Sequence, residues 1–181
     1  FIYKMKTVIV VGCGALGCRH IEGLFKSNQN IVIIAVDSSK SALEKCKIFC
    51  DNLLDERSKK VIFISLEQLF TQLIENVVLC IVSTPALGRK DLLARLSQAI
   101  TSQYWIIEKP IAQSVFELKA LSNIFCDENV YVNFARRQMV FHQKIQHYLN
   151  GSGPLNVIFS KKNLDIGCNV GHFIDLISWW V

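Results

Sequence analysis

Two rhythms of apolar and polar positions alternate along the chain. Short, nearly continuous apolar runs recur at 7–11, 31–36, 61–65, 77–82, 104–107 and 130–134. Such runs, rich in Val and Ile, mark strands buried on both faces of a parallel sheet. Segments with helical spacing separate them, at 15–26, 40–50, 66–74, 90–100 and 111–125. Ser39 stands where the second of these takes its N-cap, and Leu92, Leu93 and Leu96 share one side of the fourth. Strand and helix in regular alternation predict an α/β fold with a right-handed, doubly wound parallel sheet.

The rhythm changes after Phe134. The stretch 140–149 reads as a linking helix, and Gly151-Ser152-Gly153-Pro154 as a turn cluster. One strand is expected at 155–159 and one helix at 171–180. This divides the chain into a sheet domain, 1–135, and a second part, 136–181. The second part comprises the linking helix and the start of an α/β (α+β) domain. The chain stops on Trp179-Trp180-Val181, an apolar ending uncommon for a finished domain. One strand and one helix cannot cover both faces of a sheet. The expectation is a coding sequence that continues past Val181. Met5 reads as the natural start, since the first strand follows it directly.

The chemistry begins where the first strand ends. Gly12, Gly14 and Gly17 form G-x-G-x-x-G between that strand and the first helix. Asp37 closes the second strand, twenty positions after Gly17. This is the strand–turn–helix–strand–acid layout of a dinucleotide-binding βαβ unit, the Rossmann arrangement. Gly12 permits the tight turn, and Gly14 lets backbone approach a pyrophosphate. Gly17 lets the helix pack closely on the sheet. The N–H groups that open the helix, at Ala15 and Leu16, are placed to hold the phosphates. Asp37 is placed to accept hydrogen bonds from the adenosine ribose, so NAD is expected and NADP is the alternative. Lys4, Lys6 and the apolar stretch up to Cys18 resemble an export signal. A buried parallel strand accounts for them better.

Composition narrows the reading. The chain has 181 residues, 51% of them hydrophobic, and a net charge of +5. The basic residues are scattered or paired, as at Lys59-Lys60, Lys161-Lys162 and Arg136-Arg137, so no nucleic-acid surface is expected. The apolar runs are of strand length and do not predict a membrane span. Seven cysteines are present without a C-x-x-C pair or a Cys/His ligand group. They read as reduced, partly buried thiols of a cytoplasmic protein without a structural metal.

Three further motifs follow. Ser83-Thr84-Pro85 ends the fourth strand, Glu108-Lys109-Pro110 ends the fifth, and His172-Phe173-Ile174-Asp175 lies near the C-terminus. Carboxyl ends of strands are where open α/β sheets bind ligands. Together with GCGALGCRH, Asp37 and Val132-Asn133-Phe134-Ala135-Arg136-Arg137, these motifs give the chain its likeness to a known family. It resembles the glucose–fructose oxidoreductase / inositol dehydrogenase (Gfo/Idh/MocA) oxidoreductases, in that family's order, from Gly12 to Asp175.

The resemblance implies an N-terminal Rossmann domain, NAD(P), and hydride transfer at a carbinol or carbonyl carbon. The substrate class it implies is a sugar, cyclitol or nucleotide sugar. It places Lys109 beside nicotinamide and substrate, where an ammonium stabilises a developing alkoxide. A cis bond before Pro110 would turn Lys109 into the cleft. His172 corresponds to the family's histidine, a second catalytic candidate, and Asp175 to an acid more often structural. Ser83, Thr84, Pro85, Glu108 and Arg137 correspond to positions near the cofactor. His20 matches the histidine after the glycine motif, with a surface or packing role equally open. Self-association is expected through the second domain.

The sequence departs from the family in two places. Cys168 stands where many members carry an acid four residues before the histidine. Arg89 stands where a histidine usually follows the T-P motif, and either grips an anionic substrate group or faces solvent. The path from Phe159 to His172 is also short. An oxidoreductase acting on a sugar-like alcohol is the reading. Its rivals are a dinucleotide-binding protein without turnover and a Rossmann module of a larger assembly.

Overall fold

The computed structural model describes residues 5–27, 30–53, 60–125, 129–149, 153–160, 162 and 166–181. In chain order the elements are β1 (Lys6–Val11), α1 (Ala15–Lys26), β2 (Ile31–Asp37), α2 (Lys40–Asp51), β3 (Lys60–Ser65), α3 (Leu66–Thr71) and β4 (Val77–Val82). They continue with α4 (Arg89–Ala99), β5 (Trp105–Ile107), α5 (Val115–Ile124), β6 (Val130–Val132), α6 (Val140–Leu149) and α7 (Ile166–Trp180). A 3-10 turn, Ala135–Gln138, precedes α6. The strands form one sheet in the order β3-β2-β1-β4-β5-β6. All neighbouring pairs are parallel. This is the α/β, doubly wound Rossmann arrangement expected from the alternating pattern.

Alternate side chains on each strand feed opposite faces. On one face Ile9, Val11, Val36, Cys80, Val82, Trp105 and Ile107 pack with Leu69, Leu93, Leu96 and Leu121. On the other, Val8, Val10, Ile33, Ala35 and Ile81 pack with Ile21, Cys46 and Cys50. Both faces of the central strands are therefore dry, which is why those strands read as unbroken apolar runs.

Register aligns the carboxyl ends of the strands. Val11 stands opposite Val36 on one side and Val82 on the other, and Val82 stands opposite Ile107. One residue further on lie Gly12, Asp37, Ser83 and Glu108, along a single edge. The ladder reaches this row: Gly12 N–H donates to Val36 at 2.8 Å, Ser83 N–H to Val11 at 2.8 Å, and Glu108 N–H to Val82 at 2.9 Å.

Some expected boundaries move. The fifth helix begins at Val115, because the Ser114 hydroxyl caps it by accepting the Glu117 N–H at 3.1 Å. The final helix is longer than expected, opening at Ile166. The strand expected at 155–159 does not form: residues 153–160 carry no regular structure. A strand needs a neighbour for its N–H and C=O groups, and the described residues place none beside this stretch.

The chain divides into two compact units, Phe1–Val132 and Asn133–Val181. In the second, Arg137 Nε donates to Asp175 Oδ2 at 2.8 Å and Arg137 Nη2 to Asp175 Oδ1 at 2.5 Å, a two-pronged pair that pins the 3-10 turn to α7. Arg136 Nη2 donates to Asn169 Oδ1 at 2.6 Å, and its guanidinium lies 4.9 Å from the Phe173 ring centre. The rings of His142 on α6 and Trp180 on α7 are 5.6 Å apart.

The glycine motif generates a test of packing. A Cβ on Gly17 would stand 1.8 Å from the Gly12 carbonyl oxygen, whereas one on Gly14 would meet nothing within 4 Å. Gly17→Ala is expected to cost about 2 kcal/mol or more, and Gly14→Ala under about 0.5 kcal/mol. Urea unfolding of the two variants measures the contrast.

Candidate functional site

The site is built on the row of residues past the strand ends. Gly12 has φ +99°, a backbone conformation that favours glycine, and its turn brings the chain directly into α1. Ser83 closes the turn from the neighbouring strand. Its hydroxyl donates to the Gly12 carbonyl at 2.7 Å and also lies 3.1 Å from that of Val11. Gly14 is the N-cap of α1, and no side chain caps the helix there. The first turn carries no acidic residue. The opening N–H groups of α1, at Ala15, Leu16 and Gly17, therefore have no partner within the helix and carry its positive dipole end. Gly14, Ala15 and Leu16 are exposed, and the space over Gly14 is open.

Asp37 faces this turn from β2. Its Oδ2 accepts the Cys13 N–H at 2.7 Å and its Oδ1 accepts the Ser39 N–H at 2.8 Å. The carboxylate thus ties the glycine turn to the start of α2. Between the two helices lies an open cleft of about 560 Å³. Cys13, Gly14 and Cys18 form one side, and Ser39, Lys45 and Phe49 the other. Arg19 also lines it, with its guanidinium held by Glu22 at 2.6 Å. An apolar cleft with a carboxylate and open helix N–H groups at its mouth suits the adenosine and pyrophosphate of a dinucleotide.

Thr84 and Pro85 follow Ser83 at the same edge. Thr84 Oγ1 is buried and has no hydrogen-bond partner among the described residues, while Pro85 is exposed. Lys109 is half-buried, and the Lys109–Pro110 bond is cis. Glu108 is buried at 4% exposure, and its Oε1 lies 2.8 Å from His20 Nε2 on α1. His20 is therefore a partner of the Glu-Lys-Pro motif rather than a surface residue.

Arg89 overturns both expectations held for it. The side chain is 2% exposed and turned into the protein. Its Nη1 donates to the carbonyls of Glu108 and of Pro110, the latter at 2.5 Å, and its Nη2 donates to the carbonyl of Thr84. It neither faces solvent nor points toward a substrate anion. Burial lowers its pKa, and the Glu108 carboxylate opposes that shift. The signal was in the sequence. Arg89, Leu93, Leu96 and Ile100 recur at helical spacing on one face, and a cation on an apolar face needs buried acceptors.

His172, Asp175 and Arg137 belong to the second unit. His172 stands edge-on to the Phe134 ring at 5.7 Å. Asp175 is committed to Arg137, which agrees with a structural role for that acid. Thiols gather beside the glycine turn. Cys46 and Cys50 are buried on α2 facing Cys13. Hydrogen bonding with Cys13 and then burial raise Cys46, hydrogen bonding with Cys46 and then burial raise Cys50, and burial raises Cys80 on β4. Cys13, Cys18, Cys46, Cys50 and Cys80 are free. Among the described residues no His/Cys/Asp/Glu group is placed to hold a metal ion. No described helix is long and apolar enough to cross a membrane.

The family described as "Oxidoreductase family, NAD-binding Rossmann fold" (GFO_IDH_MocA) matches residues 6–135. The chain belongs to this family. The Gfo/Idh/MocA match covers the sheet and every loop along its carboxyl edge. Curated protein sequences give no match. Among solved structures, GenD2 from gentamicin A biosynthesis, in complex with NAD, is similar with a TM-score of 0.73 and 15% identity, over 99% of this chain and 54% of that one. The myo-inositol 2-dehydrogenase from Lactobacillus plantarum gives a TM-score of 0.71 and 17% identity, over 98% of this chain and 57% of that one. The WlbA (WbpB) dehydrogenase from Thermus thermophilus, in complex with NAD and UDP-GlcNAcA, gives 0.68 and 15%, over 97% and 63%. The chain spans about half the length of these structures.

The buried polar group around Glu108 generates a second test. Glu108→Gln keeps the shape but removes the charge that faces Arg89 and His20. A loss of about 2 kcal/mol is expected, the scale of a charged buried hydrogen bond. Urea denaturation reads it, and an unchanged midpoint would show that the charge contributes nothing.

Proposed function

We propose that this chain binds NAD and carries the cofactor half of an oxidoreductase site. The substrate we infer is an alcohol or carbonyl carbon of a sugar, cyclitol or nucleotide sugar. The observation that supports this most is the single row of Gly12, Asp37, Ser83 and Glu108 at the carboxyl edge of the sheet, with the open head of α1 and Lys109 beside it. Membership of an oxidoreductase family with an NAD-binding domain supports the cofactor class. The inositol and nucleotide-sugar names among the similar structures support the substrate class.

In this reading the α1 N–H groups hold the pyrophosphate. Asp37 keeps its grip on the Cys13 and Ser39 N–H groups and accepts from the ribose hydroxyls with its remaining lone pairs. Bound nicotinamide would supply a hydride acceptor or donor. Lys109 donates a hydrogen bond to the reacting oxygen and stabilises its negative charge. His172, as a neutral imidazole, takes or returns the hydroxyl proton. Arg137 holds α7, which carries His172, through Asp175. The second unit supplies substrate contacts and self-association. Val140, Phe141, Tyr148 and Ile158 are exposed there, at 65%, 67%, 82% and 81%. Binding without turnover is the second reading, and Cys168 in place of an acid favours it.

Fluorescence titration tests the cofactor. NADH is expected to bind on the order of tenfold more tightly than NADPH, because the Asp37 charge repels a 2′-phosphate. Asp37→Asn should narrow the gap, and tighter NADPH binding by the unaltered chain would overturn the preference.

Lys109→Met tests the chemistry. With NADH absorbance followed over a panel of sugars, cyclitols and nucleotide sugars, turnover should fall on the order of 10²-fold. NADH binding should change little. Absence of turnover by the unaltered chain, with NADH bound, would leave cofactor binding standing and favour the rivals, binding without turnover or a module of a larger assembly.

A further inference from the structure

Arg89 is an expensive residue where it stands. Its charge is almost fully buried. It occupies the first position of α4, the positive end of the helix dipole, where a cation is disfavoured. Nothing in the packing of Leu93 and Leu96 demands a charge there. What the guanidinium does is join two loops. Nη1 donates to the carbonyls of Glu108 and Pro110, the residues directly before and after Lys109. Nη2 donates to the carbonyl of Thr84 in the loop after β4. The Glu108 carboxylate, whose charge favours the guanidinium, also meets His20 on α1 at 2.8 Å. Three segments of the candidate cofactor site thus converge on one buried polar group: the glycine helix, the Ser-Thr-Pro loop and the Glu-Lys-Pro loop.

We propose that Arg89 is a positioning residue that fixes where Lys109 stands relative to a bound dinucleotide. It acts by holding the carbonyls on both sides of Lys109 and tying them to Thr84. The planar, forked guanidinium suits this task because its two terminal nitrogens serve separate carbonyl groups at once. A lysine keeps the charge but offers a single nitrogen. The proposal rests on the reading that NAD binds at this edge with Lys109 beside it.

The test is acetylation of Lys109 by an N-hydroxysuccinimide ester, followed by peptide mass spectrometry with and without NADH. At NADH ten times above its Kd, about one chain in ten is free, so Lys109 in the unaltered chain should react about tenfold more slowly. In Arg89→Gln the NADH Kd should stay within about threefold, while the protection of Lys109 largely disappears. Arg89→Lys should fall between the two. Melting curves accompany each variant. A folded Arg89→Gln chain that binds NADH and still protects Lys109 tenfold would overturn the proposal and leave the proposed function standing. An unaltered chain that binds no NADH, or binds it without protecting Lys109, would defeat the proposed function and this inference with it. Loss of cooperative melting in both variants would show Arg89 to be a core residue only and would also overturn the proposal.

Discussion

The close approach of α1 to the end of β1 is the constraint on which the rest depends. Gly17 packs so tightly on the Gly12 carbonyl that no side chain can stand between them. That contact fixes the angle at which α1 leaves the sheet. It therefore decides that the uncapped head of α1 points along the carboxyl edge. Ser83 adds a cross-strand lock, with its hydroxyl on the Gly12 carbonyl at 2.7 Å. Asp37 adds a second, from the opposite side, on the Cys13 N–H. The turn is thus held by residues from β2 and from the loop after β4. The same side chains that would receive a cofactor also build the loop that receives it. Substitutions at Asp37 or Ser83 will therefore mix binding and folding effects, and both must be measured together.

The polar groups of this edge show how a buried charge is tolerated. Glu108, Arg89 and His20 would each be costly alone in a dry interior. Together they supply most of one another's needs: His20 meets the Glu108 carboxylate, and the two terminal nitrogens of Arg89 serve the carbonyls of Thr84, Glu108 and Pro110, while Arg89 Nε finds no partner among the described residues. Those carbonyls exist because parallel strands stop in register and leave their last acceptors facing the loops. Such a network adds little net stability compared with apolar packing, but it fixes geometry. A site that must hold one lysine at a set place has a use for geometry. The structure concentrates its buried charges here, beside Lys109, whereas both main cores are apolar.

Much of this architecture is legible in the sequence. The six strands were visible because strands covered on both faces must be apolar throughout. The glycines, Asp37 and the two loop motifs were visible because each needs a particular residue type at a particular strand end. Arg89 departs from expectation because likeness to the family marks its place in the loop, whereas its burial follows from the helical face it shares with Leu93 and Leu96. The link from His20 to Glu108 joins residues 88 positions apart. No local pattern encodes such a pairing; it follows only from the strand order that sets α1 beside the end of β5. The fifth helix starts later than its apolar run because the Ser114 cap, inside that run, sets its first turn.

The stretch 153–160 shows the limit from the other direction. Its residues, Leu155 to Phe159 among them, have the alternation of a strand, and Leu155, Val157 and Phe159 are partly covered while Asn156 and Ile158 are exposed. The side-chain alternation is present without the hydrogen-bonded ladder. Alternation sets which face a strand would bury, but the ladder requires a second strand. Within the second unit Phe159 stacks on Phe173 of α7 at 3.9 Å, so the apolar face already has a partner. Among the described residues no strand pairs with the backbone of this stretch. Hydrophobic pattern and strand formation are thus separable here: Phe173 of α7 meets the apolar face at Phe159, and only a neighbouring strand would supply the ladder.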